Sequence, residues 1–428
     1  MSLKVILINP PSDCVDDDHL EPPLGLLYIA SALRGNGIGV MVYDMTGSSS
    51  QVEINEKVDA IPEGDIYGIT CYCTNYHYVK DCIRHIRSFF SKSFIVLGGP
   101  NPSAIPEYTL EDSRCDCVIT GEGEDAFLHV VGLHEDGLQI PPIIEGKGRD
   151  IIDTYATPAW DLVDIHHYSR VLNGGKTASV ISSRGCSHKC AHCNSTVMGS
   201  GKKPRFRSPE NLAGEIEYLK SMGFGCFRFN DDNFTGNPDL KPLLTVIKAL
   251  NVRYRIFGRL EELTPDNCRL LAESGCLHIS VGIESLNPDN LRILGKYDQY
   301  GHEKNLFNAR ECGMIIRAFF IVGLPYDTRE NIDYYFNAAA RLPFDEFSIY
   351  PLIPYPGTRI CRNPAKYGYE IIDRDFTHYV QIGRNKSTAF ALRHKNFSED
   401  DIREWHDEAE KIFLAAGKRL QAQSEIAL

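Results

Sequence analysis

From Lys4 to about Leu133 the chain alternates short β-rich apolar runs with helical stretches. That alternation limits the fold more than any other feature. "KVILIN" is followed by "LGLLYIASALRGNG", whose apolar residues recur at helical spacing before a glycine-rich stop. "VMVYDM", "IYGITCY", "SFIVLGG" and "CDCVITG" follow, each bounded by turn residues and separated by a helical segment. Five such runs predict an α/β domain over residues 1–140, a doubly wound, Rossmann-like parallel sheet. Sheets of this kind hold ligands beyond the carboxyl ends of their strands. Small and polar residues gather there: Asn9, Pro10 and Pro11 after the first run, and Thr70, Tyr72, Thr74 and Asn75 around the end of the third. Gly98, Gly99 and Pro100 close the fourth, and Gly121, Glu122, Gly123 and Glu124 the fifth. Glycine lets backbone approach a ligand closely, although an ordinary tight turn needs the same residue. No G-x-G-x-x-G follows the first run, which argues against a dinucleotide.

A chain of 428 residues is too long for one core, so further domains are expected. Residues 141–176 turn irregular, with Pro158, Gly174 and Gly175, and read as a linker. "TASVIS" (Thr177 to Ser182) then reads as a buried strand, and "SSRGCSHKCAHCNS" leaves its carboxyl end, where βα-barrels carry their chemistry. Cys186, Cys190 and Cys193 make a C-x3-C-x2-C triplet with no fourth cysteine nearby. A closed zinc site wants four protein ligands, whereas three thiolates can hold three irons of a [4Fe–4S] cluster and leave the fourth open. Zinc completed by His188 or His192 is the competing reading, weakened by the lack of a second Cys/His pair. The remaining cysteines form no second cluster motif; Cys71 and Cys73 read as small buried hydrophobes.

The formal net charge of −12 argues against a nucleic-acid partner. No apolar run reaches the length of a membrane span or a secretory core, and fourteen irregularly spaced cysteines fit a reducing interior, so a cytoplasmic protein is expected. The basic run Lys202, Lys203, Arg205 and Arg207 reads as a solvated loop.

"PPLGLLYIASAL", "VLGGPNPSAIPEYTL" and "CVITGEGEDAF" resemble the N-terminal domain of cobalamin-dependent radical S-adenosylmethionine (SAM) enzymes, and the cysteine triplet is the radical SAM signature. The resemblance implies cobalamin at the strand ends named above, with Asn101 standing where the family often has histidine. The Asp-x-His-x-x-Gly motif of other cobalamin proteins is absent, so no protein histidine is implied below the cobalt. It further implies a partial (β/α)6 barrel over residues 177–360. The cluster would sit on Cys186, Cys190 and Cys193, with SAM at the open iron and His192 against the adenine. Asn230 and Asp232, Arg259, Gly282, Glu284 and Ser285, and Val322 and Gly323 stand at successive strand ends as the further SAM contacts. Residues 361–428 read as a mostly helical segment closing the substrate site, with docking on the body the equal alternative.

The activity implied is methylation of an unactivated carbon of a small, natural-product-type molecule, through a 5′-deoxyadenosyl radical and methylcobalamin. A flavodoxin- or ferredoxin-type electron donor and a monomeric enzyme are expected with it. The alternatives are a cyclase or ring-rearranging enzyme using cobalamin as redox partner, and a non-catalytic iron–sulfur electron-transfer or binding protein.

Overall fold

A computed structural model of the chain describes residues 3–12, 17–48, 50–198, 203–376, 378–379 and 390–420. Cys14 and Lys202 lie outside them. The chain divides into two units, one built on Met1–Ser169 and the other on Arg170–Thr196 and Lys203–Leu428.

The first unit carries β1 (Val5–Asn9), β2 (Val40–Asp44), β3 (Ile66–Thr70), β4 (Phe94–Gly98), β5 (Cys117–Gly121) and β6 (Ile143–Gly146). All pair in parallel, in the order β2-β1-β3-β4-β5-β6. Leu7, Val96 and Ile119 pack with Leu26 and Leu33 of the helix Leu24–Gly35 and with Phe127 and Val130 of the helix Gly123–Glu135. Each such buried side chain stabilises the fold by about 1.5–3 kcal/mol. Because β2 and β3 flank β1 on opposite sides, the winding reverses there, which puts the ligand crevice beyond the ends of β1 and β3.

The sixth strand corrects the linker expectation for residues 141–176. "IIEG" offers only two apolar residues, too few to show a period, yet it pairs along β5. The chain after it folds back on the same unit: Arg149 pairs with Asp125, Asp161 with Arg34, and the Tyr168 hydroxyl donates to Asp44 Oδ2 at 2.5 Å.

The second unit carries β7 (Val171–Leu172), β8 (Gly175–Val180), β9 (Ser183–Arg184), β10 (Arg205–Phe206), β11 (Cys226–Phe229), β12 (Arg253–Gly258), β13 (Cys276–Glu284), β14 (Ile315–Val322) and β15 (Glu346–Pro351). After them come β16 (Tyr369–Ile371), β17 (Leu392–His394) and β18 (Arg419–Leu420). The six expected strands β8, β11, β12, β13, β14 and β15 lie side by side in chain order, all parallel. Two-residue strands, too short for any pattern to betray, extend the sheet to eight: β7 antiparallel on β8 and β18 parallel on β15. Ser208, Thr264 and Thr328 cap the following helices by accepting the amide three residues on.

Two tail and loop expectations change. The helix Glu399–Ala415 docks by Phe413, whose ring lies 4.9 Å from Phe320 and 5.1 Å from Phe347, with Phe336 and Phe344 around it. It seats on the core of the body, and among the described residues β16 and β17 pair antiparallel before it, so the tail carries strand as well as helix. Arg207, read as part of a solvated basic run, is 8% exposed and ion-pairs with the buried Glu215.

Side chains alternate faces along a strand, so His278, Ser280 and Gly282 share one face of β13 while Ile279 and Val281 fill the apolar core on the other. On the polar face, Glu346 Oε2 accepts from Arg317 Nη2 at 2.7 Å and lies 3.1 Å from His278 Nε2.

Candidate active site

The cysteine loop is held at both ends. Asp231, buried at the end of β11, accepts the Ser182 amide at 3.0 Å and the Ser183 hydroxyl at 2.6 Å, and also takes the Ser183 amide. At the far side the Ala191 amide donates to the Leu294 carbonyl at 2.7 Å, the Ile360 amide to the Ala191 carbonyl at 3.2 Å, and Arg359 to the Lys189 carbonyl.

Cys186, Cys190 and Cys193 are half-buried thiols on this loop, in no disulfide. Burial pushes the Cys186 thiol up to about 11, with the Cys193 and Cys190 thiols adding to the effect. Burial raises Cys190 too, opposed by Lys296 and by Arg259, whose Nη1 lies 3.8 Å from its sulfur. Three soft sulfurs with cations at hand are a donor set that fits an anionic iron–sulfur cluster. Both loop histidines are turned to carboxylates instead of completing a four-ligand zinc set. His188 Nδ1 lies 3.4 Å from Asp298, with Glu261 at 3.9 Å from Nε2, and His192 Nε2 lies 3.7 Å from Glu284. The buried His192 Nδ1 has no partner among the described residues.

Glu284 is aimed by a β-bulge. The pairing of β13 with β14 slips between Gly282 and Glu284, and Glu284 takes φ +63°, a conformation a non-glycine residue holds at some cost. Its carboxylate meets the Lys296 ammonium at 2.8 Å. Burial by itself raises this carboxyl, but Lys296 and His192 outweigh it and hold it at about 2. A side chain at Gly282 would sit 2.2 Å from Glu284 Oε1, so the pair closes only over glycine.

The other expected SAM contacts are placed unevenly. Arg259 is 7% exposed and already bridges Glu261 at 2.5 Å and Asp298 at 3.0 Å. Asn230 is half-buried and Asp232 exposed, both beside the loop-anchoring Asp231. Ser285 accepts the Asn287 amide at 3.0 Å. Val322 is fully buried, and Gly323, at φ +77°, leaves room for Ile402 of the C-terminal helix. Asp327 shapes this turn by accepting the Leu324 amide at 2.8 Å and Asn290 Nδ2 at 2.6 Å; burial pushes its carboxyl up to about 7. Lys296 and Asp298 escaped the sequence reading, since nothing in a lone Lys or Asp announces its partner.

In the first unit the expected residues lie at the carboxyl edge of the sheet, with different duties. Gly99 takes φ +108°, and a side chain there would meet the Cys71 carbonyl at 2.9 Å. Ser103, unread in the sequence, ties the fourth and fifth turns by accepting the Gly121 amide at 2.9 Å and donating to the Gly99 carbonyl at 2.7 Å. Pro10 is buried and Asn9 donates to Asp44 at 2.9 Å. Asn75 accepts the Tyr72 amide at 2.9 Å and is buried; Asn101 is 2% exposed and turned toward Cys71, so both asparagines shape the rim from within. Tyr72 stands exposed beside them, with Thr70 half-buried at the strand end and Thr74 in the turn after it. Gly98 and Pro100 frame the fourth turn, and Gly123 opens the helix after the fifth. Glu122 takes the Tyr155 hydroxyl at 2.8 Å.

Residues 15–131 match the family model of the B12-binding domain and residues 180–339 that of the radical SAM superfamily. The chain belongs to the cobalamin-dependent radical SAM enzymes. Its cofactors are a [4Fe–4S] cluster, SAM and cobalamin. An uncharacterized methyltransferase of Pyrococcus horikoshii is 28% identical over 84% of this chain and 82% of its own length. The cytidylyl-2-hydroxyethylphosphonate methyltransferase of Streptomyces wedmorensis is 24% identical over 86% of this chain and 82% of its own. The fold of this radical SAM enzyme also matches the solved TsrM methyltransferase of Kitasatospora setae, with a TM-score of 0.70 at 21% identity over 88% of this chain and 81% of that one.

Proposed function

We propose that this enzyme transfers a methyl group to a carbon of a small-molecule substrate. The observation that carries the reading is the triplet loop, with three thiols outside any disulfide, both of its histidines held by carboxylates, and a B12-binding domain earlier in the same chain. When bound, the cluster and SAM supply one-electron radical chemistry, and cobalamin supplies the methyl group.

The residues divide the work. Cys186, Cys190 and Cys193 hold the cluster, and Arg259 and Lys296 offset its negative charge from beside Cys190. Glu284, ionised and fixed by Lys296, accepts hydrogen bonds from the ribose hydroxyls of SAM, and the unpartnered His192 Nδ1 faces the same cosubstrate. Asn230 and Asp232 take its amino group. The turns at Asn9 and Pro10, at Thr70 to Asn75, at Gly98 to Asn101 and at Gly121 to Gly123 hold cobalamin through backbone. A flavodoxin- or ferredoxin-type protein delivers the electron, and the enzyme works as a cytoplasmic monomer; no helix among the described residues is long and apolar enough to cross a membrane. The S. wedmorensis relative is named for a small-molecule substrate, and TsrM was solved with tryptophan, which favours a small substrate here.

The test is anaerobic reconstitution with iron, sulfide and cobalamin, followed by incubation with SAM, a reductant and a panel of small molecules. 5′-Deoxyadenosine together with a product heavier by one methylene supports the reading. A product of unchanged carbon count would mark a cyclase, and absence of SAM cleavage a non-catalytic iron–sulfur protein.

A further inference from the structure

At the carboxyl end of β13 lies a cavity of about 180 Å³. That is far more than the roughly 10–15 Å³ that houses one water. Leu260, Ile283 and Leu286 give it an apolar base, and Tyr300, Tyr334 and Tyr335 bring aromatic rings to its walls. Tyr300 and Tyr334 are 49% and 69% exposed, which makes them its rim.

One wall is polar. Gln299 lines the cavity, is 2% exposed, and among the described residues neither Nε2 nor Oε1 of its side-chain amide has a hydrogen-bond partner. Buried amides are rarely left doubly unpaired, because each missing bond forfeits the water it replaced. The side chain offers a donor and an acceptor side by side in one plane, which pairs with a group presenting an acceptor and a donor at the same spacing. A lactam or the edge of a nucleobase does so, and a flat ring is also what tyrosine walls accept by stacking. Among the described lining residues Glu303 alone is charged, so the cavity opposes an anion.

We infer that this cavity is a binding site for a neutral, planar heterocycle with an amide-like edge, such as an unphosphorylated nucleobase, read by Gln299 and stacked on the tyrosines. The inference does not rest on the methyl-transfer reading, although Ser285, an expected SAM contact, also lines the cavity.

Calorimetric titration of the full chain with adenine and with uracil, and with AMP as the anionic comparison, tests it. At least one base should bind at a single site, AMP at least tenfold more weakly, and Gln299→Met should weaken the base tenfold or more while leaving SAM binding unchanged. No binding of either base at millimolar concentration overturns the inference, as do equal binding of AMP, unchanged affinity in Gln299→Met, or competition by SAM. Should Gln299→Met fail to fold, Tyr334→Ala, at an exposed rim position, takes its place; a several-fold loss supports the site and an unchanged affinity refutes it.

Discussion

Lys296 Nζ lies 2.8 Å from Glu284 Oε1 and 3.0 Å from the Gly282 carbonyl, so one ammonium clamps both limbs of the bulge that aims the glutamate. Removing one member of a buried ion pair leaves the other desolvated and alone, typically a loss of about 3–5 kcal/mol. Lys296→Met should destabilise the fold on that scale and abolish measurable SAM binding, whereas Glu284→Gln combined with Lys296→Met should recover part of the stability and none of the binding. Denaturant unfolding and SAM titration of the two variants check both halves.

Alanine at Cys186, Cys190 or Cys193 should each remove most of the iron and sulfide bound after reconstitution while leaving cobalamin binding intact. Alanine at Cys268, a fully buried core thiol, should leave the iron content unchanged. Metal analysis alongside visible absorbance separates these outcomes.

Asp231 serves the loop through buried backbone amides, and its carboxyl is pushed up to about 6 by burial against the hydrogen bonds from Ser183 and Ser182. Asp231→Ala would strand those amides at about 1–3 kcal/mol each. The expected result is lower stability together with faster loss of the reconstituted cluster, followed by thermal unfolding and by the decay of absorbance under chelator.

How much of this was legible depended on the length of each signal. The strands carrying four or more apolar residues, such as "VILIN" and "FIVLG", and the six parallel strands β8 and β11 to β15 of the second unit stood out by pattern and order. The triplet was unmistakable because three cysteines stand within eight residues of the chain. What stayed hidden was either too short for a period, as with β6, β7 and β18, or lay in a partner far along the chain. Asp231 looked like its neighbours Asn230 and Asp232 until folding buried it under Ser182 and Ser183. Arg207 looked solvated because its partner Glu215 sits two helical turns on, on a buried face. The C-terminal helix showed its apolar stripe plainly, but a stripe does not say which surface it covers.

The polar face of the second sheet predicts a loss of stability in acid. Burial holds His278 down to about 4, so between there and about 6.5 the unfolded chain binds the extra proton; stability is full above that window and falls as pH falls through it. Glu346 adds a second decline: burial raises its carboxyl, yet His278 and Arg317 hold it at about 2, so its contribution is present above about 4.3 and fades toward 2. Asp327, raised to about 7, acts in the opposite sense, its stability being full below about 3.9 and lost as pH rises toward 7. In Asp327→Asn the acid-side decline should therefore be steeper, and in His278→Gln shallower, as read from denaturation midpoints across pH.

Phe413→Ala should cost about 3–5 kcal/mol by emptying the ring cluster around Phe320 and Phe347. Iron and cobalamin loading at low temperature should be unaffected, since the helix seats on the body's apolar core. Equal stability with lost loading would instead make the helix part of the site.

The run from Lys296 to Gln299 is a single 3-10 turn, closed by the Gln299 amide on the Lys296 carbonyl at 3.0 Å. Within it Lys296 grips Glu284, Asp298 grips Arg259, and Gln299 walls the cavity. Those three attachments share one stiff hinge plate, so a shift of the plate moves all of them together.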